Sequence, residues 1–116
     1  MKLRGARKWY FADGYIESSR RGKSVSHESL CLLNAGEEDA NVKIRFFFSD
    51  RDPIYVDFVL PAERNVHLRL DDLQIPRDTP YGVEVISNVP IVAQLSRLVA
   101  NDEGYTLMTT IGYSED

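Results

Sequence analysis

The sequence predicts an all-β fold, an antiparallel β-sandwich, on three observations. Apolar and polar residues alternate with period two through several short runs. Turn-forming residues separate these runs at regular intervals. Prolines also interrupt the one place where a helix could start, since Asp71-Asp72-Leu73 could open a single turn but Pro76 and Pro80 stop anything longer.

In chain order, Lys8–Ala12 reads as the first strand, and Glu17–Lys23, which lacks any strongly apolar residue and contains Gly22, as a mobile loop. Val25–Leu33 is the next strand. Asn34-Ala35-Gly36-Glu37-Glu38-Asp39 is a turn. Val42, Ile44, Phe46 and Phe48 then alternate with Lys43, Arg45, Phe47 and Ser49, which gives a strand with one strongly apolar face. Phe47 lies on its other side and needs a cover, either a folded-over loop or a second subunit. After the loop 49–53, Pro53 can open a strand over Ile54–Leu60, where no ladder donor is required. Val66, Leu68 and Leu70 mark the next strand. Gly82–Ser87 and Ile91–Leu98 read as two strands parted by a break at Ser87-Asn88-Val89-Pro90. Asn101-Asp102-Glu103-Gly104 can form a hairpin turn before Thr106–Tyr113. Eight or nine strands, each with one apolar side, must pack face to face.

A chain of 116 residues suits one domain, spanning 1–116, and 43% hydrophobic residues argue against disorder. Charge is uneven: residues 1–23 carry seven basic and two acidic side chains, and the rest seven basic and sixteen acidic. Such a basic segment can meet nucleic acid, anionic lipid or an acidic partner, or it can be solvated surface. Cys31 is the sole cysteine, so no intramolecular disulfide forms, and its place in Leu30-Cys31-Leu32-Leu33 predicts a buried thiol. No signal-peptide core follows the basic start, and no apolar run reaches the roughly 18 residues of a membrane span. The expectation is a soluble cytoplasmic protein.

Catalytic motifs are absent, and no nucleophile can be matched with a base, so a binding protein is expected rather than an enzyme, with no cofactor. Ser26-His27-Glu28 cannot converge on one strand, because His27 faces away from its two neighbours. His27 and His67 with a carboxylate would be the only metal set on offer, and no metal site is assigned. Gln94 and Arg97 lie on opposite faces of one apolar strand. Buried polar groups there need partners, in a polar pocket or, for Arg97, in an ion pair at a sheet edge or subunit contact. Trp9 can stack on a ligand or pack at the core boundary.

Several segments together resemble the sensory rhodopsin transducer family: Trp9 with Asp13-Gly14-Tyr15-Ile16; Ser26-His27-Glu28 running into Cys31-Leu32-Leu33-Asn34-Ala35-Gly36; Phe48-Ser49-Asp50 with Pro53; Ser87-Asn88-Val89-Pro90-Ile91-Val92 with Gln94, Arg97 and Leu98; and Thr109-Thr110-Ile111-Gly112-Tyr113. The resemblance implies a β-sandwich of jelly-roll type, similar to carbohydrate-binding modules, assembled as a homotetramer. It also implies a signalling role in binding a small, sugar-like molecule. Residues 17–23 match none of its motifs.

The first functional expectation is therefore a homo-oligomer that binds a small polar ligand. Glu28, Gln94 and Arg97 would supply hydrogen bonds, and Trp9 or His27 a stacking face. The second is an interaction module docking on a membrane receptor or signalling protein through Arg20, Arg21, Lys23 and the basic N-terminal residues. The third is DNA binding through the same basic residues, without a recognition helix.

Overall fold

The computed structural model describes residues 4–116. Among the described residues, eight of ten strands form two antiparallel sheets around one core, and the other two, the second and third, pair in a small separate hairpin. The ten are β1 (Ala6–Gly14), β2 (Arg20–Arg21), β3 (Ser24–Val25), β4 (His27–Asn34), β5 (Ala40–Phe48), β6 (Ile54–Leu60), β7 (Arg64–Arg69), β8 (Tyr81–Asn101), β9 (Gly104–Ile111) and β10 (Tyr113–Glu115). A single 3-10 turn, Leu70–Leu73, follows β7, where one turn was predicted.

The two strands predicted at 82–87 and 91–98 are one continuous strand that belongs to both sheets. The first half of β8 pairs with β1 on one side and β5 on the other, giving the order β10-β1-β8-β5-β6. The second half pairs with β4 and β9, giving β9-β8-β4-β7. Pairing with β5 ends at Ser87 and pairing with β4 begins at Val92. The predicted break is thus the corner where the strand changes sheets. Pro90 is tolerated there because neither β5 nor β4 needs its missing donor. Gly5, with φ +97°, approaches the same corner so closely that a Cβ would stand 2.1 Å from the Ile91 carbonyl oxygen.

The alternation seen in the sequence is the core. Val42, Ile44 and Phe46 of β5, Val83 and Val85 of β8, Trp9 and Phe11 of β1, and Leu30 and Leu32 of β4 are all buried. The opposite parity faces out, which explains two departures from expectation. Cys31 is half-buried on the outer face, because Leu30 and Leu32 take the core positions beside it. Phe47 stays 37% exposed under no loop, with the Arg45 guanidinium 4.4 Å above its ring.

Part of the segment Glu17–Lys23, expected as a mobile loop, instead joins Ser24 and Val25 in the small β2–β3 hairpin, which turns at Gly22 (φ +58°) and Lys23. Ser26 anchors it: its hydroxyl meets the Ser19 hydroxyl at 2.8 Å and takes the Ala100 N–H at 2.9 Å. Arg77 donates to the carbonyls of Glu17 and Ser26, both at 2.8 Å, and reaches Asp71, which also accepts a two-pronged contact from Arg69. Asn34 closes the turn after β4, donating to the Glu38 and Leu60 carbonyls while accepting from Gly36 N–H.

Candidate functional site

Among the described residues Glu28, 1% exposed on β4, is the one charged residue in the buried interior. Its Oε1 accepts the Tyr15 backbone N–H at 2.7 Å and the Tyr81 hydroxyl; its Oε2 accepts Arg97 Nε at 2.8 Å. Arg97 then donates through Nη2 to the Asp13 carbonyl at 2.8 Å and stands 3.6 Å from the Asp13 carboxylate. A buried carboxylate holding three donors, one of them charged, is fully satisfied. Burial, and next the negative Glu28 beside it, push the Tyr81 hydroxyl pKa far above the ordinary tyrosine value, so Tyr81 remains a donor.

This network explains the bend in β8. Tyr81 and Arg97 are sixteen residues apart on one strand, about 50 Å if it ran straight. Both nevertheless bind one carboxylate, so Glu28 pins the two halves of β8, and with them the two sheets, at one end of the sandwich. Gly14 permits the approach, since a Cβ there would sit 2.4 Å from the Tyr81 ring.

Beside the network a cavity of about 500 Å³ opens between the end of β1 and the segment Met108–Tyr113. Phe11, Leu95, Met108 and Ile111 make its walls mostly apolar, and Glu28, Arg97 and Asp13 form its polar end. The size falls within the range of about 300–1,000 Å³ usual for small-molecule sites.

Of the residues singled out in the sequence, Glu28 and Arg97 meet at this cavity, and Arg97 also makes the ion pair that was the alternative. The others do not join them. Trp9 is 5% exposed, with its indole N–H donated to the Ala6 and Ile91 carbonyls, and offers no free ring face. Gln94 is exposed on the outer face of the second sheet. His27 faces outward with Nδ1 2.9 Å from the Val25 carbonyl. Among the described residues no cluster of three metal-ligating side chains exists.

The basic residues also separate. Arg4 and Arg7 lie near the corner of β8, where Ala6 pairs with Ile91. Arg20, Arg21 and Lys23 lie near its far end, where Arg21 donates to the Asn101 and Asp102 carbonyls. Ten residues of strand, about 33 Å, part the two groups, so they form no single basic patch. Lys2, part of the basic N-terminal stretch, lies outside the described residues.

Sequence reasoning missed Tyr81, Asp13 and Met108. Tyr81 begins a strand after Pro80, and no local pattern signals that it reaches residue 28.

Fold and site together define a small antiparallel β-sandwich with an open side cavity above a buried ion pair. A family model described as Anabaena sensory rhodopsin transducer matches residues 4–114. The chain belongs to that family. A crystal structure of Thermotoga maritima 1070 superposes with a TM-score of 0.93 at 51% identity, covering 97% of each chain. A structure of the Anabaena sensory rhodopsin transducer superposes with a TM-score of 0.74 at 40% identity, covering 85% of this chain and 93% of that one. No curated protein sequence matches. No helix among the described residues is long and apolar enough to cross a membrane.

Proposed function

We propose that this protein is a cytoplasmic, non-enzymatic signalling protein that acts by binding a small molecule in the cavity beside Glu28 and Arg97. One observation carries this reading: the open cavity ends on the ion pair that pins both halves of β8. A molecule touching Arg97 therefore touches the point on which the arrangement of the two sheets depends. Membership of a transducer family supports the signalling half of the reading. The family resemblance adds sugars as a ligand class and a homotetramer as the assembly.

A thermal-shift screen against sugars, sugar phosphates, nucleotides and small carbonyl compounds tests it. A ligand that binds only the native state stabilises by about 2.7 kcal/mol at a hundredfold excess over Kd. Saturable stabilisation that is lost in Arg97→Lys is the expected result. Lysine keeps a charge toward Glu28 but loses the planar fork. Stabilisation unchanged in that variant would place the ligand elsewhere.

A second reading is docking on a receptor or another protein, and β9 favours it. This edge strand pairs only with β8, and the chain carries no charge from Gly104 through the strand to Tyr113 at the start of β10. Leu107 is 76% exposed, and Tyr105, Met108, Ile111 and Tyr113 are also exposed. Uncharged edges of this kind are normally covered, by a partner or by a second copy. Arg20, Arg21 and Lys23 would add a separate salt-sensitive contact, and DNA is the weaker alternative because the basic residues are divided.

A further inference from the structure

We propose that the outer face of the second sheet, β9-β8-β4-β7, is an interface on which two copies of this chain pack face to face. This goes beyond the cavity reading and does not depend on it.

The two outer faces of the sandwich differ in charge. On the first sheet the outward positions include Lys8, Lys43, Arg45, Asp57, Glu84 and Glu115, the pattern of apolar inside and charged outside that a solvated sheet shows. The second sheet departs from it. Its outward positions are the odd residues of β4 from His27 to Leu33, the even residues of β8 from Val92 to Leu98, the odd residues of β9 from Tyr105 to Ile111, and Asn65, His67 and Arg69 of β7. With histidine neutral at pH 7, Arg69 alone carries a charge there, and Asp71 already holds it in two contacts of 2.8 and 2.9 Å. Leu33, Leu107 and Ile111 stand exposed on this face.

A face without charge fits a second copy of itself. Near a two-fold axis each side chain meets its own equivalent, so a charge there would meet its like, and this face has none to repel. A different protein is normally matched by complementary charge, which this face does not offer.

The ends of the sheet set the orientation. Four strands about 4.8 Å apart and a span of about 20 Å from Val92 to Leu98 give a plane of about 400 Å², about half of what each partner contributes to a standard interface. A stable contact therefore takes in the ends as well. One end carries the β2–β3 hairpin, where Arg21 lies 5.7 Å above the ring of the outward Tyr105 and Arg20 and Lys23 are exposed. Even with Asp102 and Glu103 in the turn after β8, this end is net positive. The opposite end carries Glu37, Glu38 and Asp39 after β4 and Glu63 before β7, against Arg4 and Arg64, and is net negative. A two-fold axis across the strands sets each basic hairpin on the acidic end of the other copy. An axis along the strands would set hairpin on hairpin, so the first arrangement is the one the charges favour.

Sedimentation equilibrium of the full chain at pH 7 tests the interface, with circular dichroism to check that each variant is folded. The native protein should weigh at least twice the 13.2 kDa of one chain. Gln94→Lys puts a charge in the middle of the face, at an exposed position whose side chain makes no hydrogen bond among the described residues, and should weaken association about tenfold or more. Val59→Lys puts the same charge on the outer face of the first sheet and should leave the mass unchanged. Arg21→Glu should weaken association, and adding Glu37→Lys and Glu38→Lys to the same chain should restore it. A native protein that sediments as one chain at about 0.1 mM, or Gln94→Lys associating as tightly as native, would overturn the proposal. Charge reversal that restores nothing would overturn the orientation.

Discussion

Removing Arg97 tests the clamp that holds the two sheets. In Arg97→Met the Glu28 carboxylate, 1% exposed, keeps the Tyr15 N–H and the Tyr81 hydroxyl but loses its only counter-charge. Stranding one member of a buried pair costs about 3–5 kcal/mol. The Arg97 side chain is 21% exposed, so water replaces part of what is lost, and the expected penalty is about 2–3 kcal/mol. For a domain of this length that lowers the Tm by about 8–12 °C. Glu28→Gln combined with Arg97→Met removes the stranded charge, and the double variant should recover at least about half of the loss, a coupling typical of groups in one network. Circular dichroism melts of the native protein, both single variants and the double variant measure the cycle. A single Arg97→Met variant melting within about 2 °C of native, or a double variant no better than the sum of the singles, would refute the clamp.

Gly14→Ala would force a Cβ against the Tyr81 ring and displace the hydroxyl from Glu28; a loss of about 1–3 kcal/mol in urea denaturation is expected, as for other overpacked sites. Asn34→Ala leaves the Glu38 and Leu60 carbonyls without their side-chain donor and should cost about 2 kcal/mol by the same assay. Burial works to raise the Asp71 pKa, but Arg69 and then Arg77 outweigh it and hold it below the ordinary aspartate value. That depressed pKa gives stability that is present above the unfolded pKa of about 4 and is lost as pH falls through the folded one. Asp71→Asn should therefore melt lower than native at pH 7, with the gap closing below about pH 4. If copies associate through β9, Leu107→Arg should reduce the mass measured by sedimentation equilibrium at a fixed concentration, whereas an unchanged mass would place any self-association elsewhere.

Much of the fold was legible because strand periodicity is local. The parity of Val42, Ile44 and Phe46 states which face is core, and Asn34 with Gly36 states where the chain turns. The continuity of β8 was not legible: Pro90 and Asn88 carry turn chemistry, and only the handover from β5 to β4 shows that the strand passes through the corner. The site was half legible. Glu28 and Arg97 stood out as polar residues in apolar strands, which buried chemistry requires to be paired. Their partnership with Tyr81 depends on a bend between two sheets, and no spacing along the chain encodes that. Trp9 shows the limit of residue type as a guide, since the features that let an indole bind a ligand also let it close a core over two backbone carbonyls.

The chain holds two methionines, Met1 and Met108, and Met108 lines the cavity. A methyl-labelled methionine spectrum therefore contains one reporter of the proposed site. Recorded across the compounds of the thermal-shift screen, it tests directly whether this cavity is where the protein binds. The Met108 signal should move saturably with the compounds that raise the Tm. Compounds that raise the Tm while Met108 stays still would contradict the account and place the binding site outside the cavity.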